Sequence, residues 1–127
     1  MRQPRSGFSL VELLIAIVIV GILAAITIPT FANTTAKADI AAVKSDLRNL
    51  ATAQESYYYQ NATYAPSTVL LNLTPSPGVT ITIVQAAPSG WSATAVHPAA
   101  VPVTCAVFYG AATAVPPATT QGTIACK

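Results

Sequence analysis

Charge is scarce in this chain of 127 residues: Asp, Glu, Lys and Arg make up 8% of it, and from Ser56 to Cys126 there is none. Nine of the ten charged side chains lie at or before Glu55, and the tenth is Lys127. That distribution removes most chemistry from the C-terminal half, because acid–base pairs and hard-metal sites need carboxylates. The one histidine, His97, has no acidic residue in that half to orient it and reads as a surface or loop-flanking side chain beside Pro98. No enzyme, cofactor or metal is expected. A formal charge of +2 is also too small to hold nucleic acid by bulk electrostatics. Cysteine is confined to Cys105 and Cys126, and the length is too short for more than one ordinary domain. What is abundant is apolar: 53% hydrophobic residues and a mean hydropathy of +0.56 exclude a disordered chain and suggest a membrane.

From Leu13 to Ile26 there are fourteen residues without a polar side chain, and the stretch from Phe8 to Ile28 would span roughly 31 Å as a helix. That is enough to cross a bilayer. Met1 to Gly7 precedes it and carries Arg2 and Arg5, a short basic flank that favours keeping the N-terminus in the cytoplasm. Beyond the apolar core, Ile26 to Ala32 offers no good small-residue pattern for a signal-type cut. The small-residue junction stands before the core instead, at Ser6-Gly7-Phe8, where Gly7 has no Cβ and fits a tight protease groove. A cut there removes the basic leader and keeps the helix.

Glu12 lies within this helix, where an unpaired carboxylate costs on the order of 3 kcal/mol in hydrocarbon. A cut after Gly7 would create a Phe8 amine four residues away, able to pair with Glu12 within one subunit or between neighbours offset along a bundle. The plainer alternative is a juxtamembrane acid that snorkels to the headgroups.

The stretch Gly7-Phe8-Ser9-Leu10-Val11-Glu12-Leu13-Leu14-Ile15 resembles the processing and methylation motif of type IV prepilins and of the pseudopilins of type II secretion, and the likeness continues through Gly21 and Pro29 to about Phe31. The resemblance implies a membrane-embedded prepilin peptidase that cuts between Gly7 and Phe8 and methylates the Phe8 amine. It also implies that Glu12 guides docking of subunits into a helical filament. Other implied partners are an inner-membrane platform protein, an assembly ATPase acting indirectly, and further copies of the chain. The chain would be a single-pass inner-membrane protein first and part of an extracellular filament afterwards.

Pro29 lacks an N–H and crowds the preceding turn, so a kink is expected around Ala25 to Pro29, with Gly21 a second weak point. Further on, Ile40, Val43, Leu47, Leu50 and Tyr57 recur at helical spacing, while Lys37, Asp39, Lys44, Asp46 and Arg48 fall largely on other faces. This predicts an amphipathic helix ending near Asn61, where Asn61 to Pro66 supplies breakers. Tyr57, Tyr58 and Tyr59 point about 100° apart on such a helix, so they cannot form one conducting ladder and are expected to pack under the head.

The remainder predicts short antiparallel strands: Val79 to Ile83, Trp91 to Val96, Val103 to Tyr109 and Thr123 to Cys126. One face, carrying Val79, Ile81, Ile83 and Trp91, would cover the amphipathic helix, and Pro102, Pro116 and Pro117 confine the ladders. The fold class is α+β: a long N-terminal helix on a small antiparallel sheet. Its expected segments are a leader (1–7), a transmembrane and filament-core helix (8–30), an amphipathic half (31–61) and a β-sheet head (62–127). Cys105 and Cys126 both fall in the part that insertion carries out of the cytoplasm, and a bridge between them would be worth about 3 kcal/mol in the chain-entropy model. Type IV pilins often display a disulfide-closed C-terminal loop on the filament; here it would be Ala106 to Ala125. Asn33, Asn61 and Asn72 stand in sequons, but the chain is Thr-rich and no N-glycans are expected.

The leading functional expectation is a type IV pilus subunit serving adhesion, twitching motility or uptake. The alternative is a type II secretion pseudopilin. Major pseudopilins typically hold calcium through C-terminal carboxylates, and this chain has none after Glu55. A minor pilin that acts as an adhesin or DNA receptor finds less support, because Lys127 is the one cation beyond Glu55.

Overall fold

The computed structural model describes residues 7–100 and 102–127, except for the side chains at 28–33. Arg2, Arg5 and the Pro29 ring therefore lie outside the described residues. The first element is a helix of 52 residues, α1 (Leu10–Asn61). It is followed by β1 (Thr80–Ala87), β2 (Gly90–Val96), a short 3₁₀ turn (Pro98–Ala100), β3 (Thr104–Gly110) and β4 (Ala125–Cys126). The chain divides into two compact units, one up to Thr35 and one from Ala36 to Lys127.

In the second unit the helix stripe meets the sheet as the periodicity requires. Val43, Leu47 and Leu50 are buried, with Ile40 packed at the edge of the same cluster. The sheet has the order β1-β2-β3-β4, with neighbouring strands antiparallel. Period-two alternation turns Trp91, Ala93, Ala95, Cys105 and Val107 towards the helix, and Ile81 and Ile83 pack beside them. The α+β class is as the sequence predicts. β1 runs past Ile83 to Ala87 because a bulge at Val84 restores the register between Ile83 and Gln85. The last strand is shorter than expected: Gly122, at φ +74°, donates its N–H to the Phe108 carbonyl and holds the chain in a turn until Ile124.

The helix ends at Asn61, where expected, by a device the breakers did not announce. Ala62 adopts φ +53° and donates its N–H to the Tyr58 carbonyl at 2.8 Å, a left-handed cap built on a residue with a Cβ. Left-handed backbone costs a non-glycine residue about 1–2 kcal/mol, and glycine gives back part of that as chain entropy. Ala62→Gly is therefore expected to raise stability by about 0.5–1 kcal/mol in denaturant titrations.

Cys105 and Cys126 are directly opposite across β3 and β4 and are disulfide-bonded. Thr104 and Lys127 exchange backbone hydrogen bonds beside them. Two ladder residues cannot hold a terminal strand, so the bond retains β4. Replacing either cysteine by Ser should cost about 3 kcal/mol, read as a lowered denaturation midpoint at unchanged slope. The segment it closes is not all loop, since Ala106 to Gly110 belongs to β3. The return from Ala111 crosses the outer face of the sheet: Thr113 donates its N–H to Gln85 Oε1, and Ala112 and Ala118 are buried, as are Ser92 and Ala106 beneath. Thr119, Thr120 and Gln121 remain exposed.

Candidate functional site

The N-terminal segment is built from its own sequence. Gly7 lies outside the helix with open space where a Cβ would stand, and Phe8 is 79% exposed. Ser9 is the N-cap of α1: its carbonyl accepts the first helical bond, from the Leu13 N–H at 3.2 Å. Glu12, three residues on, reaches back so that its Oε2 accepts the Ser9 N–H at 2.9 Å. This is the glutamate half of a capping box. The pattern Ser9-Leu10-Val11-Glu12 signals it in the sequence, although a reading that attends only to the charge of Glu12 passes over it. The bond ties the carboxylate to the peptide between Phe8 and Ser9, next to the Gly7–Phe8 junction.

From Leu10 to Thr27 the helix has a mean hydropathy of 2.8 over 18 residues, and none of that window is buried within the chain. Length and composition suit it to cross a membrane. Its two polar side chains find partners inside the helix: Glu12 at the cap, and Thr27, whose Oγ1 donates to the Leu23 carbonyl at 2.7 Å. Gly21 is exposed, with nothing near its missing Cβ, so it offers a close-approach surface to another helix.

In the second unit, polar residues of α1 grip the connection to the sheet. Gln54 is fully buried and makes two bonds with Ala65, donating from Nε2 to its carbonyl and accepting its N–H at Oε1, each at 2.8 Å. Asp46, expected on a solvated face, is 5% exposed, and its carboxylate accepts both the N–H and the hydroxyl of Ser76, at 2.7 and 3.0 Å. It lies on the core stripe because Asp46 is three residues past Val43 and four before Leu50, on the same helix face. His97 is likewise not partnerless: Asp39, from the helix, brings its Oδ2 to 3.8 Å from Nδ1. The His97 ring also occupies the space a Cβ on Gly78 would need, and Gly78 sits at φ +84°.

The tyrosines divide. Tyr58 stacks on Tyr64 at 4.7 Å and Tyr57 is half-buried, whereas Tyr59 is 91% exposed and does not pack under the head as expected. The Tyr64 hydroxyl donates to Glu55 Oε1 at 3.1 Å; burial, then that hydrogen bond and the negative charge of Glu55, hold its phenol above the usual range. In the unfolded chain the phenol ionises near pH 10 and in the folded chain later. Its contribution to stability is therefore complete below about pH 10 and is lost as pH rises through the raised folded value. In Tyr64→Phe the stability-versus-pH slope above about pH 10 should flatten, which alkaline denaturation curves measure. No cluster of three or more His, Cys, Asp or Glu able to hold a metal occurs among the described residues.

Comparison with known proteins gives the N-terminal segment a context. Residues 2–28 match the family described as the prokaryotic N-terminal methylation motif. Among curated proteins, the chain is 38% identical over 77 residues to the type IV major pilin protein PilA of Myxococcus xanthus, covering 60% of this chain and 35% of that one. It is 37% identical over 67 residues to the type II secretion system core protein G of Pseudomonas aeruginosa, covering 53% and 46%. With the type IV major fimbrial protein FimA of Dichelobacter nodosus it shares 41% over 56 residues, covering 44% and 36%. The matches thus span between about a third and a half of each relative's length.

Proposed function

We propose, from the chain's membership of the type IV pilin and type II secretion pseudopilin superfamily, that it is the structural subunit of a type IV pilus. A prepilin peptidase cuts it between Gly7 and Phe8 and methylates the new amine. Copies then leave the inner membrane and polymerise through residues 8–30 into an extracellular filament, driven by a membrane platform and its ATPase. The observation that carries this reading is the capped Glu12 beside a Gly–Phe junction, at the head of a helix whose apolar window is exposed throughout. A surface that is solvated by lipid before assembly is covered by identical helices afterwards, so one helix serves as anchor and as filament core. The Phe8 amine and Glu12 form a charge pair within a subunit or between neighbours, and the pairing between neighbours sets axial register. Flexure at Gly21 and Pro29 lets the apolar half adjust in the bundle.

The second reading, a pseudopilin, draws on the match to core protein G. The lack of any carboxylate side chain after Glu55 to ligate calcium, and the disulfide at the C-terminus, favour the pilus. An epitope inserted at exposed Thr120 and decorated with gold-labelled antibody on intact cells separates the two. The pilus reading expects labelled fibres extending from the cell surface. Label that appears only after the envelope is opened would contradict it and favour the pseudopilus.

A further inference from the structure

Lys44 and Arg48 stand one turn apart on α1 and flank a cleft of about 460 Å³ between the helix and the end of the chain. Its lining includes half-buried Ala51, Ile124 and Tyr109, backed by the fully buried Leu47 and Val107. The Tyr109 ring is fixed: it stacks on buried Trp91 at 5.1 Å, and its hydroxyl points to the Gly122 carbonyl at 3.5 Å.

Lys44 and Arg48, like Lys37 and Lys127, have no carboxylate partner among the described residues of the second unit. Of its carboxylate side chains, Asp46 accepts from Ser76 and Glu55 from Tyr64, while Asp39 lies 3.8 Å from His97 Nδ1 with no hydrogen bond at its Oδ2. The one ion pair found among the described residues is that of His97 and Asp39. A guanidinium fork takes a carboxylate through two parallel bonds, and an ammonium one turn away adds a point charge. Beside them lies room for an apolar body far larger than an inorganic ion. Two cations at the cleft are too few for a polyanion.

We infer that this cleft binds a small organic carboxylate bearing an aromatic or aliphatic ring, with Arg48 and Lys44 on the carboxylate and the ring against Tyr109 and Ile124. The inference does not depend on filament formation. With about ten heavy atoms in the ligand, affinity should be of the order of a millimolar.

The test is amide chemical-shift mapping of the full chain in zwitterionic micelles, titrated with phenylacetate and, separately, with acetate. Phenylacetate should give saturable shifts centred on Lys44, Arg48, Tyr109 and Ile124. Acetate should bind at least about tenfold more weakly, and K44Q/R48Q should weaken phenylacetate by about tenfold or more. The single variant Arg48→Gln, at an exposed position, should lie between, with unchanged Trp91 fluorescence showing an intact fold. Non-saturating or scattered shifts, equal binding of acetate, or full binding by K44Q/R48Q would each overturn the inference. So would cleft signals that ignore phenylacetate and move only as protein concentration rises, which would assign the cleft to a second copy.

Discussion

Cells that make the Glu12→Gln chain in place of the native one should insert and process it yet lose it from sheared filaments by roughly a hundredfold, the equivalent of the ~3 kcal/mol that the Phe8 ammonium, left without its partner, costs in hydrocarbon. The choice of Gln separates two roles that the structure superimposes. Glu12 accepts the Ser9 N–H as part of a capping box, and Gln fills that position as well as Glu does. The substitution therefore keeps the helix start and removes the charge alone. Glu12→Ala removes both, and would add a frayed first turn worth about 1 kcal/mol to the same assembly defect. Quantitative immunoblots of sheared and membrane fractions read the outcome. Native filament yield from Glu12→Gln would mean that the carboxylate serves the cap and that charge pairing with Phe8 does not drive assembly.

Gln54→Leu should be the most destabilising single change in the second unit, at about 4 kcal/mol. Leucine fills a similar volume, but both the N–H and the carbonyl of Ala65 are left buried without partners, at about 1–3 kcal/mol each. The loss would release the connection where it leaves the helix and, with it, the seat of Tyr64 against Tyr58. Trp91, the one tryptophan and fully buried, reports unfolding by fluorescence during denaturant titration. The exposed Ser56→Ala, which takes part in none of these bonds, should stay within about 0.5 kcal/mol of the native chain. A Gln54→Leu cost below about 1 kcal/mol would show that Ala65 finds other partners.

The sequence made the large elements legible because each obeys one period. Val43, Leu47 and Leu50 gave the buried face of the helix, and alternation from Val79 to Ile83 gave the first strand. The cysteine pair was legible because it was the only pairing the chain allowed. The grips between helix and connection were harder to read, since they are single polar residues on an apolar stripe. Extending that stripe four residues past Leu50 arrives at Gln54, and three past Val43 arrives at Asp46. A polar residue at either position signals a buried bond but does not name its partner, which lies 11 residues away for Gln54 and 30 for Asp46. The covering of the outer sheet face by Ala112 and Ala118 was hidden for a related reason: small residues in a Pro- and Thr-rich segment carry no period. His97 found its acid on an element 58 residues earlier, beyond the reach of local spacing.

Non-reducing intact-mass spectrometry of filaments sheared from cells tests the central claim most directly. The account predicts an abundant species that begins at Phe8, carries one added methyl group on its amine, and is lighter than the dithiol form by the two hydrogens of the Cys105–Cys126 bond. Sheared filaments that lack the chain, taken from cells whose membranes hold it in processed form, would contradict the account of a pilus subunit.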